Sequence, residues 1–192
     1  MRSVIAALLL ALSAPSVAQD ATISVETTSD GTRTLVHELV IPASTDDVWK
    51  AIATTDGWRT WAVPLVREVP GTDRFEANYD PSAEPGSSSG IEQEWLSREA
   101  PRKAVFRTTR TPAGFPHAAA YLKVVSTFTL TPEGAGTTRV RLSGAGYPSG
   151  PDGDALIGFF RAGNSISLRQ LHTRFTTGPI EWQVHKGPKQ GE

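Results

Sequence analysis

From Arg33 the chain alternates, with Leu35, His37, Leu39 and Ile41 on one face of an extended segment and Val36, Glu38 and Val40 on the other. A period of two predicts a strand, and Pro42 ends it. Ser44-Thr45-Asp46-Asp47 follows, a helix start with serine as the cap and an acidic residue three positions on. That helix carries Val48, Trp49 and Ile52 and is expected to stop at Asp56-Gly57. A second short turn then sets Trp58 and Trp61 on one side before Pro64 closes it.

Residues 65–69, 74–79, 91–97 and 104–110 also have strand character: Phe75, Ala77 and Tyr79 alternate with polar residues, as do Ile91, Gln93 and Trp95. After a Pro/Gly-rich stretch at 111–116, one long strand is expected to carry Leu122, Val124, Ser126, Phe128 and Leu130 on one face. Gly134-Ala135-Gly136 reads as a hairpin turn, and Val140 and Leu142 pair back with Arg139 and Arg141 facing water. One-sided alternation of this kind predicts an antiparallel sheet with one wet face. Beyond the linker at 144–153, Asp152 can cap a long helix that Gly178-Pro179 terminates. Its roughly 24 residues would span about 36 Å, and Ile157, Phe160, Asn164, Leu168, Leu171 and Phe175 fall on one stripe.

The first residues change the picture. Arg2, the apolar run from Val4 to Leu12 and the small-x-small triplet Ser16-Val17-Ala18 have the form of a secretory signal. A membrane anchor needs about 20 apolar residues, and this run stops at Ser13 and Pro15. The reading is a cleavable signal peptide at 1–18, a loose polar leader at 19–32, one domain at 33–182 and a tail at 183–192. Periplasmic or secreted localisation follows, with cleavage after Ala18. Without Arg2, 18 basic side chains face 20 acidic ones, a net charge near −2. With no Lys/Arg cluster, nucleic acid is not an expected partner. The chain has no Cys, which excludes thiol catalysis and disulfides and leaves stability to packing.

The order strand, two short helices, about six antiparallel strands and a long C-terminal helix resembles the helix-grip fold of the START-like (SRPBCC) superfamily. The chain is similar to its bacterial branch related to heat-shock chaperone ATPase activators. The resemblance rests on IPASTDDVWKAI from Ile41, WRTW from Trp58, the segment Pro112 to Pro116, TTRVRLSGAGY from Thr137 and GNSISLRQLHTRFTTGPIEW from Gly163. It implies an α+β domain in which a curved antiparallel sheet of about seven strands wraps the C-terminal helix around a cavity. Members of that branch are usually cytoplasmic, whereas this chain carries an export signal. A chaperone-activating role would therefore sit in the wrong compartment.

The expected cavity residues are His37, Trp61, Gln93, Trp95, Phe106, Ser126, Phe128, Phe160, Asn164 and Leu168. A mainly apolar lining with a few polar groups is how small-molecule sites are usually built. Polar groups that merely satisfy one another, and tryptophans that merely pack the helix pair, are the structural alternative. Gly86-Ser87-Ser88-Ser89-Gly90 fits the nucleophile-elbow pattern but lies before a strand, not in a strand-to-helix turn. Gly144-Ala145-Gly146 lacks the third glycine and the parallel unit of a dinucleotide site. Four histidines show no metal-ligand spacing, so neither a metal nor a cofactor is expected. Three functions remain. The leading one is an exported binding protein for a small apolar or amphipathic molecule. The second is a polyketide cyclase/aromatase-type enzyme with His37 as proton carrier. The third is an interaction module or homodimer through Phe159 and Ile166, expected to stand opposite the buried stripe.

Overall fold

The computed structural model describes residues 20–182; the segment expected to be a signal peptide and the expected tail lie outside the described residues. In chain order the elements are β1 (Thr22–Thr27), β2 (Arg33–Ile41), α1 (Thr45–Ala53), α2 (Thr55–Arg59), β3 (Leu65–Glu68) and β4 (Arg74–Asn78). They continue with β5 (Ile91–Glu99), β6 (Lys103–Arg110), α3 (Ala118–Tyr121), β7 (Val125–Pro132), β8 (Thr138–Tyr147) and α4 (Pro151–Thr176). The strands form one eight-stranded sheet in the order β1-β2-β8-β7-β6-β5-β4-β3. Every pairing is antiparallel. This is the helix-grip α+β architecture, with one strand more than expected.

The extra strand lies in the supposed leader. Residues 22–27 pair with β2 from Thr22↔Glu38 to Thr27↔Arg33. The segment is polar because it is a mostly exposed edge strand, with Ile23 alone half-buried. Backbone pairing and that one apolar contact hold it, so side-chain pattern gives little warning.

Ser44 caps α1 as expected: its Oγ accepts from the Asp47 amide at 3.2 Å. The helix ends earlier than Asp56, because Thr54 leaves it in an extended conformation and caps α2, its Oγ1 accepting from Gly57 N at 2.9 Å. Gly57 is therefore a contact and not a stop. A Cβ there would lie 2.1 Å from the Lys50 carbonyl oxygen, so its absence lets α2 fold tightly back on α1. Residues 118–121 form α3 in place of the start of a long strand, favoured by three consecutive alanines. Leu122 consequently follows a helix and is exposed, while Val124, Phe128 and Leu130 keep the expected inward phase. At α4, Gly150 is the cap residue and Pro151 opens the helix. Asp152 sits in its first turn, 2.9 Å from His117 Nδ1. Gly178 has φ +105°, the left-handed stop its position predicted.

The convex sheet face carries the charges. Arg141 bridges Glu26 and Glu38, and Arg107 pairs with Glu94. The concave face carries the core, which divides in two. One cluster joins α1, α2 and the sheet to Leu168 and Leu171. The other gathers Leu35, Tyr121, Val124 and Tyr147 around Leu156 and Ile157. α4 spans both.

Candidate functional site

Between the two clusters α4 turns small and polar: Gly163, Asn164 and Ser167 are only half-buried. They face a cavity of about 620 Å³ closed on the other side by the sheet and α2. Trp58 and Trp61 bound it at α2, each pinned to α1 through its indole N–H. Trp58 donates to the Ile52 carbonyl at 2.6 Å and Trp61 to that of Ala51 at 2.9 Å. Phe106, Ser126 and Gly144 form one cross-strand row of the floor.

The remaining wall depends on a bulge. Arg33 pairs with Tyr147 and Thr34 with Ala145, so Gly146 is an extra residue in β8, at φ +98°. The bulge reverses side-chain parity and turns Tyr147 inward, where it is 2% exposed. Its hydroxyl lies over Gly144, 2.9 Å from where a Cβ would be. Tyr121 of α3 stacks on Phe160 of α4, ring centroids 4.5 Å apart. Burial pushes both phenols above their usual range, and each stays a neutral donor near neutral pH.

Seven of the ten expected residues line this cavity: Trp61, Gln93, Phe106, Ser126, Phe128, Phe160 and Asn164. Three are elsewhere. Trp95 stacks on Phe75 at 4.9 Å within the first core. Leu168 is fully buried in that same core, while its helix neighbours Ser167 and Gln170 line the cavity in its place. His37 is fully buried beneath α4, its ring Nε2 3.1 Å from the Arg161 carbonyl, which can only accept. His37 thus meets helix backbone, not the cavity, and cannot serve there as a proton carrier.

Tyr121, Tyr147 and the small face of α4 escaped the sequence reading. A bulge and a one-turn helix set the two tyrosines, and neither has a periodicity. Gly163 and Ser167, four apart, were the available signal, since small residues at helical spacing mark where a helix leaves room. Phe159 and Ile166 are exposed, as expected, but they border the cavity instead of standing behind the helix. Phe159 meets Phe115 edge-on at 5.6 Å. The cavity opens on one flank of α4, so the face taken for its back is partly the cavity rim.

His37 makes a testable contribution to stability. With Nε2–H donating, Nδ1 is a buried acceptor without a partner among the described residues. Burial holds the imidazole below its usual pKa. The unfolded chain then takes up the proton first, so stability is greatest above about pH 6.5 and declines as pH falls through that value. Urea melts at pH 7.5 and pH 5 should show this decline, and His37→Gln should reduce it. An unchanged pH dependence in the variant would place the effect on other groups.

Among the described residues no charged side chain lines the cavity, and no group of three or more His, Asp or Glu is placed to hold a metal ion. No described helix is long and apolar enough to cross a membrane. An antiparallel sheet wrapped on one long helix over an apolar cavity defines a START-like (SRPBCC) domain. The chain belongs to the family described as polyketide cyclase/dehydrase and lipid transport, whose model matches residues 22–176. No curated protein matches it. Solved structures share the fold at low identity. The Aha1 dimer from Colwellia psychrerythraea is 16% identical at TM-score 0.57, covering 76% of this chain and 97% of its own. A protein of Mesorhizobium loti is 23% identical at TM-score 0.58, covering 77% and 100%. CalU16 from Micromonospora echinospora is 17% identical at TM-score 0.56, covering 86% and 88%.

Proposed function

We propose that the mature protein is an exported carrier that holds one small apolar or amphipathic molecule between its sheet and α4. The observation that carries this reading is the cavity of about 620 Å³, walled by aromatic and aliphatic side chains and bordered by no charge among the described residues. The family description, which includes lipid transport, agrees with it. Proton-transfer chemistry has less support, because among the described residues the titratable groups lining the cavity are tyrosines, and burial holds Tyr121 and Tyr147 protonated. Export rests on Arg2, the Val4 to Leu12 run and Ser16-Val17-Ala18. Protein recovered from periplasm or medium should begin at Gln19; recovery from cytosol with Met1 intact would overturn export alone.

Gly163 offers the test of the cavity. It lines the space, and a Cβ there would meet nothing within 4 Å. Gly163→Leu should leave stability unchanged or raise it by up to about 1 kcal/mol, since glycine costs that much inside a helix. It should also weaken binding of pyrene at least about tenfold by occupying the ligand's space. Energy transfer from Trp58 and Trp61 to pyrene reads the affinity. Undiminished binding to the variant would place the site elsewhere, and no binding to the parent protein would end the carrier reading.

A further inference from the structure

Gln93 is the polar group that the fold leaves without an explanation. It sits on β5 between Phe75 of β4 and Thr108 of β6, its cross-strand partners, and lines the cavity while only 6% exposed. Its Oε1 is buried without a hydrogen-bond partner among the described residues, and a half-turn of the amide, which exchanges Oε1 with Nε2, presents that oxygen to the cavity the side chain lines. A buried carbonyl-type oxygen left unpaired is costly, and native structures rarely keep one. Thr108, in register with Gln93, is buried near the Tyr121 phenol and partly offsets the effect of its burial. Tyr147 in turn is close enough for a charge on either phenol to be felt by the other. Gln93, Tyr121 and Tyr147 are thus neutral polar groups of a cavity whose other polar lining, Ser126, Asn164 and Ser167 among it, is also uncharged.

Resting on the carrier reading, we infer that the ligand is an uncharged, mainly apolar alcohol or phenol whose hydroxyl donates to Oε1 of Gln93. The choice follows by chemistry. An ionised carboxylate or phosphate has no proton to give Oε1 and would be buried beside no described cation, which is prohibitive. An ammonium could donate, yet no described carboxylate lines the cavity to balance it. A hydrocarbon leaves Oε1 unpaired, and a ketone or ester brings a second acceptor to it. A hydroxyl does both jobs required, since its proton meets Gln93 and its oxygen can accept from a tyrosine that remains protonated.

Four pyrenes of nearly one shape separate these cases: pyrene, 1-hydroxypyrene, 1-acetylpyrene and 1-pyrenecarboxylate, titrated at pH 7 with tryptophan energy transfer as readout. Hydroxypyrene should bind tightest, about tenfold better than pyrene, the worth of one well-placed hydrogen bond. The carboxylate should be weakest. Gln93→Leu should close the gap between hydroxypyrene and pyrene. Tyr147→Phe, which removes one oxygen and keeps the ring, should narrow that gap and covers the case in which Gln93→Leu fails to fold. Equal or tighter binding of the carboxylate or the ketone would overturn the inference while leaving a carrier of another selectivity. A gap unchanged in both variants would also overturn it. Absence of binding by every pyrene would overturn the carrier reading itself.

Discussion

Trp58→Ala should cost about 3–5 kcal/mol, the range for removing a buried tryptophan from a packed core. Its ring stands at the centre of the aromatic cluster, with Phe75, Trp61, Phe106 and Trp95 at centroid distances of 5.2, 5.7, 5.7 and 6.3 Å. Three of those four contacts are edge-on, an arrangement worth more than area burial alone. Truncation also leaves the Ile52 carbonyl without its indole donor. Guanidinium melts of Trp58→Ala and Trp58→Phe would divide the loss. The phenylalanine variant keeps most of the ring packing and should recover more than half of it. A cost below about 1 kcal/mol for the alanine variant would mean that the cluster rearranges around the gap.

Gly57→Ala should be nearly as damaging, although it adds a single methyl group. The new carbon would lie 2.1 Å from the Lys50 oxygen and 2.6 Å from that of Ala51, both backbone atoms of α1. No rotamer relieves such an overlap. The helices must separate, and with them the two tryptophan hydrogen bonds to α1 that hold this wall of the cavity. Overpacking against yielding side chains costs 1–3 kcal/mol, and against backbone we expect about 3 kcal/mol or more. For a domain of this size that lowers the melting temperature by roughly 6–12 °C. Thermal melts followed by near-ultraviolet circular dichroism would register both the loss and the disturbed indoles. A melting temperature within about 2 °C of the parent would show that α2 can pivot away freely.

What the sequence disclosed about this molecule depended on whether a rule was local and periodic. The inward phase of β2 was readable because Leu35, His37, Leu39 and Ile41 repeat every second residue. The Ser44 cap and the Gly178 stop were readable because each has a chemical cause within three residues. Tyr147 was not, since the single residue Gly146 shifts the register and no alternation survives it. His37 shows a second limit: its inward direction followed from the pattern, but what stands above it depends on where α4 crosses the sheet. The same limit applies to Leu168. Stripe position predicted its burial correctly and could not say that its neighbours Ser167 and Gln170, not Leu168 itself, face the cavity.

The division of the core into two clusters has a thermal consequence. α4 touches one cluster through Leu156 and Ile157 and the other through Leu168 and Leu171, with the cavity between them. An empty domain can loosen at one end while the other stays packed, because few apolar contacts connect the two. A molecule filling the gap touches both at once and must be expelled before either end comes apart. Occupancy at a hundred times the dissociation constant adds about 2.7 kcal/mol, and that gain would fall on both halves together. The cargo would then serve as the middle of the hydrophobic core, joining two small cooperative units into one.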